Sequence, residues 1–426
     1  MVKKQKPRAI IVGGSIAGIS CAKALILAGW DVLVIEKTRG PPTANPTGAG
    51  LGLDPLSQKI IQTWLHQPDL LYKITLPLSI NQNQATDGEK KISWVLARDE
   101  NFNYRSTYWA DLHGLIYNTL PTQIFLWGHQ YLSFCISQDK TSVKVKAKVL
   151  QTDEIIQIEG DLLVAADGSR SSIRQSVLPH VKLRYAGYCA WRGVHKFSEN
   201  DVSETILGIR KAYPDLGKCL YMELGSGSHI VLTELTKGKI NWAWYVNQPE
   251  PELQGNTTAV KVSSVMIEVL HQRAEKVWLP ELARVIKETR EPFLNVVYDC
   301  DPLPQIFCDR VVLTGDAAHP TTPHSARSTN MAIIDAAVLG KCLEKWGTVY
   351  LQSALKEYQS IRLPVTSTQI LHSRLVGRMK QALSIPGREP FDPKTAGPED
   401  FQFLQNTNIP LVHDVPPILD SMFGRS

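Results

Sequence analysis

The chain has 426 residues, 43% hydrophobic and 20% charged, with a formal net charge of +5. That is enough apolar sequence for a large core and two domains, and it excludes a disordered chain. The basic residues are scattered, which argues against nucleic-acid binding, and the mild positive charge suits an anionic cofactor. Seven cysteines with no C-x-x-C pair read as reduced intracellular thiols, not a disulfide framework. The first eight residues lack the apolar run of a secretion signal, and no apolar run reaches membrane-spanning length, so a soluble cytoplasmic protein is expected.

Residues 9–12 form a short apolar strand leading into Gly13-Gly14-Ser15-Ile16-Ala17-Gly18. A helix to residue 28 and a second strand over 32–35, ending in Glu36, complete a βαβ unit. This is a dinucleotide fingerprint in its proper context. Gly13 makes the tight turn, Gly18 brings helix and strand close, and Glu36 accepts from ribose hydroxyls. An acid at that strand tip disfavours a 2′-phosphate, so FAD or NAD is favoured over NADP. Ser15 stands where the fingerprint has glycine; its Cβ narrows the approach to a pyrophosphate, and its hydroxyl offers a donor.

A glycine- and proline-rich loop over 40–52 follows, suited to bringing backbone close to a flat ligand. Asp54-Pro55 caps a helix through residue 65, strands are expected over 93–97 and 104–108, and a short helix begins at Trp109. Segments 125–127, 131–137, 142–150 and 154–158 read as one antiparallel run. Residues 161–166 are a further buried strand, ending in Asp167-Gly168, with Ser171 and Ser172 able to cap the next helix. Alternating segments over 184–247 read as a pocket sheet, with a hairpin turn at 237–239. Its Trp191, Tyr221, Trp242, Trp244 and Tyr245 are stacking candidates or simple core. Trp242 and Trp244 share one face and Ala243 and Tyr245 the other. Arg192 is costly to bury unpaired, so it is either a structural ion pair or a contact for an anionic ligand.

Helices are expected over 260–273 and 279–289, and residues 292–298 lead back to an apolar strand at 310–313. That strand ends in Thr314-Gly315-Asp316-Ala317-Ala318-His319-Pro320. After a polar loop, an alanine-rich helix starts near Ser328-Thr329-Asn330. A carboxylate at a strand tip beside a helix N-terminus suits a sugar-phosphate ligand. Helices over 351–361 and 364–384 follow, then a proline-rich tail over 386–426, expected to be extended or partly disordered. No metal site is expected, because no Cys, Asp or Glu joins His319 or His324 at ligand spacing.

The order of Gly13 to Gly18, Asp167-Gly168, and Gly315-Asp316 through Pro320 resembles the FAD-dependent aromatic monooxygenases of the p-hydroxybenzoate hydroxylase fold. Ser15, the segment 185–194 with Arg192, residues 241–247, and Pro323-His324-Ser325-Ala326-Arg327-Ser328-Thr329 are similar to the 2,6-dihydroxypyridine 3-hydroxylase-like branch. The resemblance covers about residues 8–385. It implies an α/β fold: a Rossmann-like, three-layer FAD-binding domain of the GR2 type with an interleaved mixed β-sheet substrate domain and C-terminal helices. The FAD-binding portion would comprise 1–75, 93–183 and 293–385, and the substrate portion 76–92 and 184–292.

It also implies one FAD, with NADPH or NADH as a transient electron donor, and O2 and a small aromatic or heteroaromatic ring as reactants. Hydroxylation would proceed through a flavin C4a-hydroperoxide. The implied cofactor contacts are Gly13, Gly14, Ser15, Ile16, Ala17, Gly18, Glu36, Lys37, Gly50, Leu51, Trp109, Asp167, Gly315, Asp316, Ser328, Thr329 and Asn330. Among them Asp316 would hold the ribityl chain and Asp167 the pyrophosphate and nicotinamide region. His324 is the candidate base or substrate-orienting group, with Arg192 and Tyr245 beside it. The generic loop of these enzymes has glycines where Ala326 and Ser328 stand. A flavin oxidase, dehydrogenase or epoxidase, or a non-catalytic protein of the same fold, remains the alternative, as does monomer against homodimer.

Overall fold

The computed structural model describes residues 6–42, 48–198, 200–253, 255, 257–405 and 409–424. Residues 43–47 of the glycine- and proline-rich loop, the first five residues, and 406–408 of the tail lie outside them. The apolar strands meet as expected in a parallel core. Arg8–Val12 lies between Asp31–Glu36 and Leu162–Ala165, and Val311–Leu313 extends the sheet on the far side. These strands run the same way, so Gly13, Glu36, Asp167 and Gly315 all emerge at one edge. The helices Ile16–Leu27 and Ser328–Trp346 pack against each other so closely that a Cβ on Gly340 would sit 2.9 Å from that of Ala24.

The strand Phe125–Trp127 pairs in parallel with Asp31–Glu36 and completes the core sheet, so it is not part of the expected antiparallel run. That run consists of His129–Ile136, Val143–Val149 and Ile155–Gly160. A three-residue apolar strand carries no signal of which partner it will choose; burial at the sheet edge decides it.

A second sheet has eight strands, in the order Ala259–Val260, Phe293–Asp299, Arg184–Lys196, Lys239–Asn247, Ser228–Leu235, Cys219–Gly225, Ile80–Asp87 and Ile92–Asp99. Ile92–Asp99 and Phe293–Asp299, grouped with the cofactor segments in sequence, are thus hydrogen-bonded into this sheet. Its rear face buries Trp191, Trp242 and Trp244 with Trp278 and the helices Ser264–Val277 and Pro280–Glu288. These tryptophans are core. Arg192, Ala243 and Tyr245 occupy the opposite face, as alternation requires.

The two helices expected after residue 350 are one, Leu351–Lys380, about 45 Å long at 1.5 Å per residue. Pro364 sits inside it. Both Pro364 and Ser360, whose carbonyl loses its donor, face solvent, so water replaces the missing bond. The tail also departs from expectation. It forms the helix Pro398–Gln405, and Phe391 and Leu404 are buried against Ala85, Leu96, Leu224 and Met379.

One buried carboxylate joins the layers. Asp335 accepts from the Gly315 backbone N–H (2.9 Å), from Arg362 Nε (2.8 Å) and pairs with His319 Nε2 (2.5 Å). Burial alone would raise its pKa, but His319 and Arg362 outweigh that and hold it at about 2. Asp335→Ala would leave Arg362 charged, buried and unpaired. We expect a loss of about 3–5 kcal/mol in urea denaturation; a change within about 0.5 kcal/mol would show that the network is not structural.

Candidate active site

Gly13 has φ +104°, and a Cβ there would lie 2.3 Å from the Ala166 carbonyl oxygen. A Cβ on Gly18 would lie 1.8 Å from the Gly13 carbonyl oxygen, so both positions admit only glycine. Ser15 precedes the helix and its side chain caps nothing, which leaves an exposed hydroxyl beside the free N–H groups of the first turn. Glu36 accepts from the N–H of Gly14 (2.7 Å) and of Thr38 (2.9 Å), which aims its carboxylate along the rim of the cradle. Ile16 is buried, and Ala17 packs on Gly315, where a Cβ would approach within 2.9 Å. The first and third strand-end turns are therefore in contact.

Asp167 is spent partly on its own helix: Oδ2 accepts from the N–H of Ser172 (3.0 Å) and Ile173 (3.3 Å). Its Oδ1 is buried with no partner, and burial pushes its pKa up. An unsatisfied acceptor beside a cradle that any added Cβ would fill fits a bound dinucleotide bearing hydroxyl donors. Arg174 joins the second turn to the third. Buried, it donates to the carbonyls of Asp316 (3.2 Å), Ala317 (3.0 Å) and Ser169. Sequence gave Arg174 no role, because nothing local marks a side chain that serves two distant loops.

Asp316 accepts from Ser328 Oγ at 2.6 Å, and both line the cavity with Thr329, Gly50 and Leu51. Asn330 does not. Its amide is consumed by the carbonyls of Gly52 (2.8 Å) and Ala326 (2.6 Å), and its own carbonyl by the Asp54 N–H (2.9 Å). Arg327 pairs with Asp54 (2.5 Å) in full burial and reaches Tyr104. These bonds hold residues 323–330 against the Gly50–Leu53 strand. Ser325 and Ala326 adopt φ of +83° and +54°, the left-handed region that favours glycine. Trp109 supports from behind: it packs on Gly48 and stacks on His113, whose Nε2 bonds the Gly14 carbonyl (2.8 Å). Lys37 is exposed at the rim.

The cavity is about 350 Å³. One wall is the Asp316–Thr329 loop; the other is the front of the eight-stranded sheet, with Arg192, Tyr245, His229, Val231, Leu220 and Met222. Arg192 points its guanidinium into this space, and its Nε has no hydrogen-bond partner among the described residues. His324 is buried with Nε2 2.8 Å from the Tyr188 hydroxyl and its ring against Tyr245. Burial, with His229, Lys380 and Arg192 nearby, holds its pKa well below the usual histidine value. His229 stacks on Tyr245 at 4.5 Å and bonds Gln381 through Nδ1 (2.8 Å).

The long helix closes this end with two residues that sequence overlooked. Gly377 has no Cβ to strike the His324 ring, which would be 2.3 Å away, or the Tyr188 hydroxyl at 2.5 Å. Lys380 is buried in the cavity wall, and among the described residues its Nζ bonds to the Met222 sulfur, at 2.6 Å. Burial pushes its pKa down to about 7.

With this geometry in place, the similarity to known proteins is specific. The sequence family described as FAD binding domain matches residues 303–372. The 6-hydroxynicotinate 3-monooxygenase of Pseudomonas fluorescens is 27% identical over 368 residues, 84% of this chain and 88% of that one. This chain is a relative of the FAD-dependent aromatic monooxygenases. The 2,6-dihydroxypyridine 3-monooxygenase of Paenarthrobacter nicotinovorans is 27% identical over 361 residues, covering 79% and 83% of the two chains. The solved 2,6-dihydroxypyridine-3-hydroxylase from Arthrobacter nicotinovorans superposes with a TM-score of 0.74 at 22% identity, over 91% of this chain and 96% of the other. Klebsiella pneumoniae HpxO, solved with FAD and uric acid, gives 0.70 at 22%, over 88% and 89%. The fold and the FAD-binding class of these similar proteins agree with the pattern expected from the three strand-end motifs.

Two substitutions test the geometry of the cavity. In Gly377→Ala, helix propensity alone would stabilise by about 1 kcal/mol, yet the clash with His324 outweighs it. Lower stability and lower turnover with flavin retained are expected by thermal melting and steady-state assay; a more stable, fully active variant would refute the contact. Lys380→Met tests burial of charge. The unfolded lysine keeps its proton up to about pH 10, the folded one only to about 7. Stability of the native protein therefore rises with pH across that window. The methionine variant should be more stable than the parent below pH 7, with the gain shrinking toward pH 10; an equal gain at every pH would contradict the buried cation.

Proposed function

We propose that the protein hydroxylates a small, electron-rich aromatic or heteroaromatic ring, using FAD, O2 and electrons from NADH or NADPH. The observation that carries this reading is one cavity shared by two structures: the Asp316–Ser328 turn of the FAD-binding part and the polar-aromatic front of the eight-stranded sheet. Its volume suits a single ring with substituents, in keeping with the hydroxylated rings in the names of the relatives.

Bound FAD would supply hydride acceptance from the nicotinamide and activation of O2. The residues to hold it are the 13–18 cradle, Glu36, Asp167, Asp316 and the helix start at Ser328. The N–H groups of that helix start, unpaired within the helix, would favour negative charge on a bound flavin. Leu220, Met222 and Val231 keep part of the sheet wall apolar and limit water. Tyr245 offers a ring face for stacking.

Burial, with His229, Lys380 and Arg192 nearby, lowers the proton affinity of His324, which favours the neutral imidazole. Its role is therefore orienting: with Tyr188 it forms a hydroxyl–imidazole pair that fixes a ring hydroxyl by hydrogen bonding. We further place the protein in the cytoplasm, as a monomer or homodimer, supported by seven cysteines that are all unpaired thiols.

The reading is tested by NAD(P)H oxidation across a panel of hydroxylated benzoates and pyridines under isotopically heavy O2. At least one ring should stimulate oxidation and gain one heavy oxygen atom; hydrogen peroxide as the sole oxygen product throughout would indicate an oxidase instead. With that ring in hand, His324→Ala should lower turnover about 10- to 100-fold, the worth of one buried hydrogen bond, and leave flavin content unchanged.

A further inference from the structure

Lys380 is out of place by every structural criterion. It is buried on the last turn of the helix Leu351–Lys380, where an ion partner would be expected, and its amine instead meets a thioether, which offers no counter-charge. Burial pushes its pKa down to about 7, so its protonated and neutral forms lie close in free energy near neutral pH. Among the described residues no carboxylate pairs with Lys380, and the one carboxylate that lines the cavity, Asp316, is bonded to Ser328 on the cofactor-side loop. The facing groups are His229 on one strand, Arg192 on another, and His324 from the loop; proximity to Lys380 lowers the proton affinity of both histidines.

Other buried polar atoms nearby are also unspent. Among the described residues His229 Nε2, in the cavity wall, has no partner, and neither amide atom of Asn83, outside the cavity lining, has one. Asn83 is paired across the sheet with Met222, the residue Lys380 touches, so both side chains share a face. An unpaired buried amine and an unsatisfied imidazole nitrogen lining the same cavity fit a ligand oxygen that would complete them.

We propose that Lys380 is a specificity-determining residue that receives an anionic oxygen of the ring substrate at the end of the cavity formed by the long helix. This rests on the monooxygenase reading and deepens it. The Asp316–Ser328 end faces the cofactor and the Lys380 end grips the substituent, so the ring carbon to be attacked is the one held between them. The amine takes up a proton as the anion binds, because the anion restores the balance that burial removes. A carboxylate and an ionised ring hydroxyl share this chemistry, and the choice between them is left to the test.

Equilibrium binding of benzoate, 4-nitrophenolate and neutral benzamide to the purified holoenzyme at near-neutral pH, followed by calorimetry, reads this directly. At least one anion should bind about tenfold or more tightly than benzamide. Lys380→Met, and Lys380→Gln as a second variant that retains a polar head, should erase that preference, read within each variant as the ratio of anion to benzamide affinity. Loss for benzoate alone assigns a carboxylate; loss for 4-nitrophenolate alone assigns a ring oxygen. No anion preference in the parent, or an undiminished one in both variants, overturns the assignment. Flavin absorbance and ring oxygenation, measured on the same preparations, report the monooxygenase reading separately. Oxygenation without anion preference defeats only the role of Lys380.

Discussion

The Asp335 carboxylate governs the geometry of the whole site. Through Gly315 it sets the turn that presents Asp316, and through Arg362 it fixes the rotation of the long helix about its axis. That helix then carries the constraint some 27 Å further, at 1.5 Å per residue from Arg362 to Lys380. There Gly377 and Lys380 complete the ring-binding end. One buried ion network therefore ties the cofactor turn to the substrate wall. Such networks contribute little net stability compared with an apolar core, but they fix register, which a site split between two sheets requires.

Arg174 plays the matching part on the other side. By donating to carbonyls of both the 167–169 and 315–317 turns, it holds two strand ends at a fixed spacing. Ala17 against Gly315 closes the third side. The three turns of the cradle are thus joined directly to one another. The strain that remains is local: Ser325 and Ala326 hold left-handed backbone without glycine, stabilised by Asn330, Asp54 and Arg327.

Much of this was legible in sequence, and the reason is physical. Glycines 13 and 18 and the strand-tip acids 36, 167 and 316 are local signals, because steric limits and strand ends act within a few residues. The alternation that separates Trp242 and Trp244 from Tyr245 is equally local. What sequence did not disclose is long-range. Whether Phe125–Trp127 pairs in parallel, whether Pro364 ends a helix, and whether Phe391 and Leu404 find a buried niche depend on partners far along the chain. Arg174, Gly377 and Lys380 went unread for the same reason: each acts on a residue more than a hundred positions away. Asn330 looked like a ligand contact because it starts a helix, and proved to be internal scaffolding.

The central claim is that three strand-end turns enclose a single FAD. Its most direct test is titration of FAD into the purified, flavin-stripped chain, followed by quenching of flavin fluorescence. Saturation at one FAD per chain, with the absorbance of a bound flavin, is the result the structure requires. A folded chain that takes up no FAD, or takes it up without saturating, would contradict it.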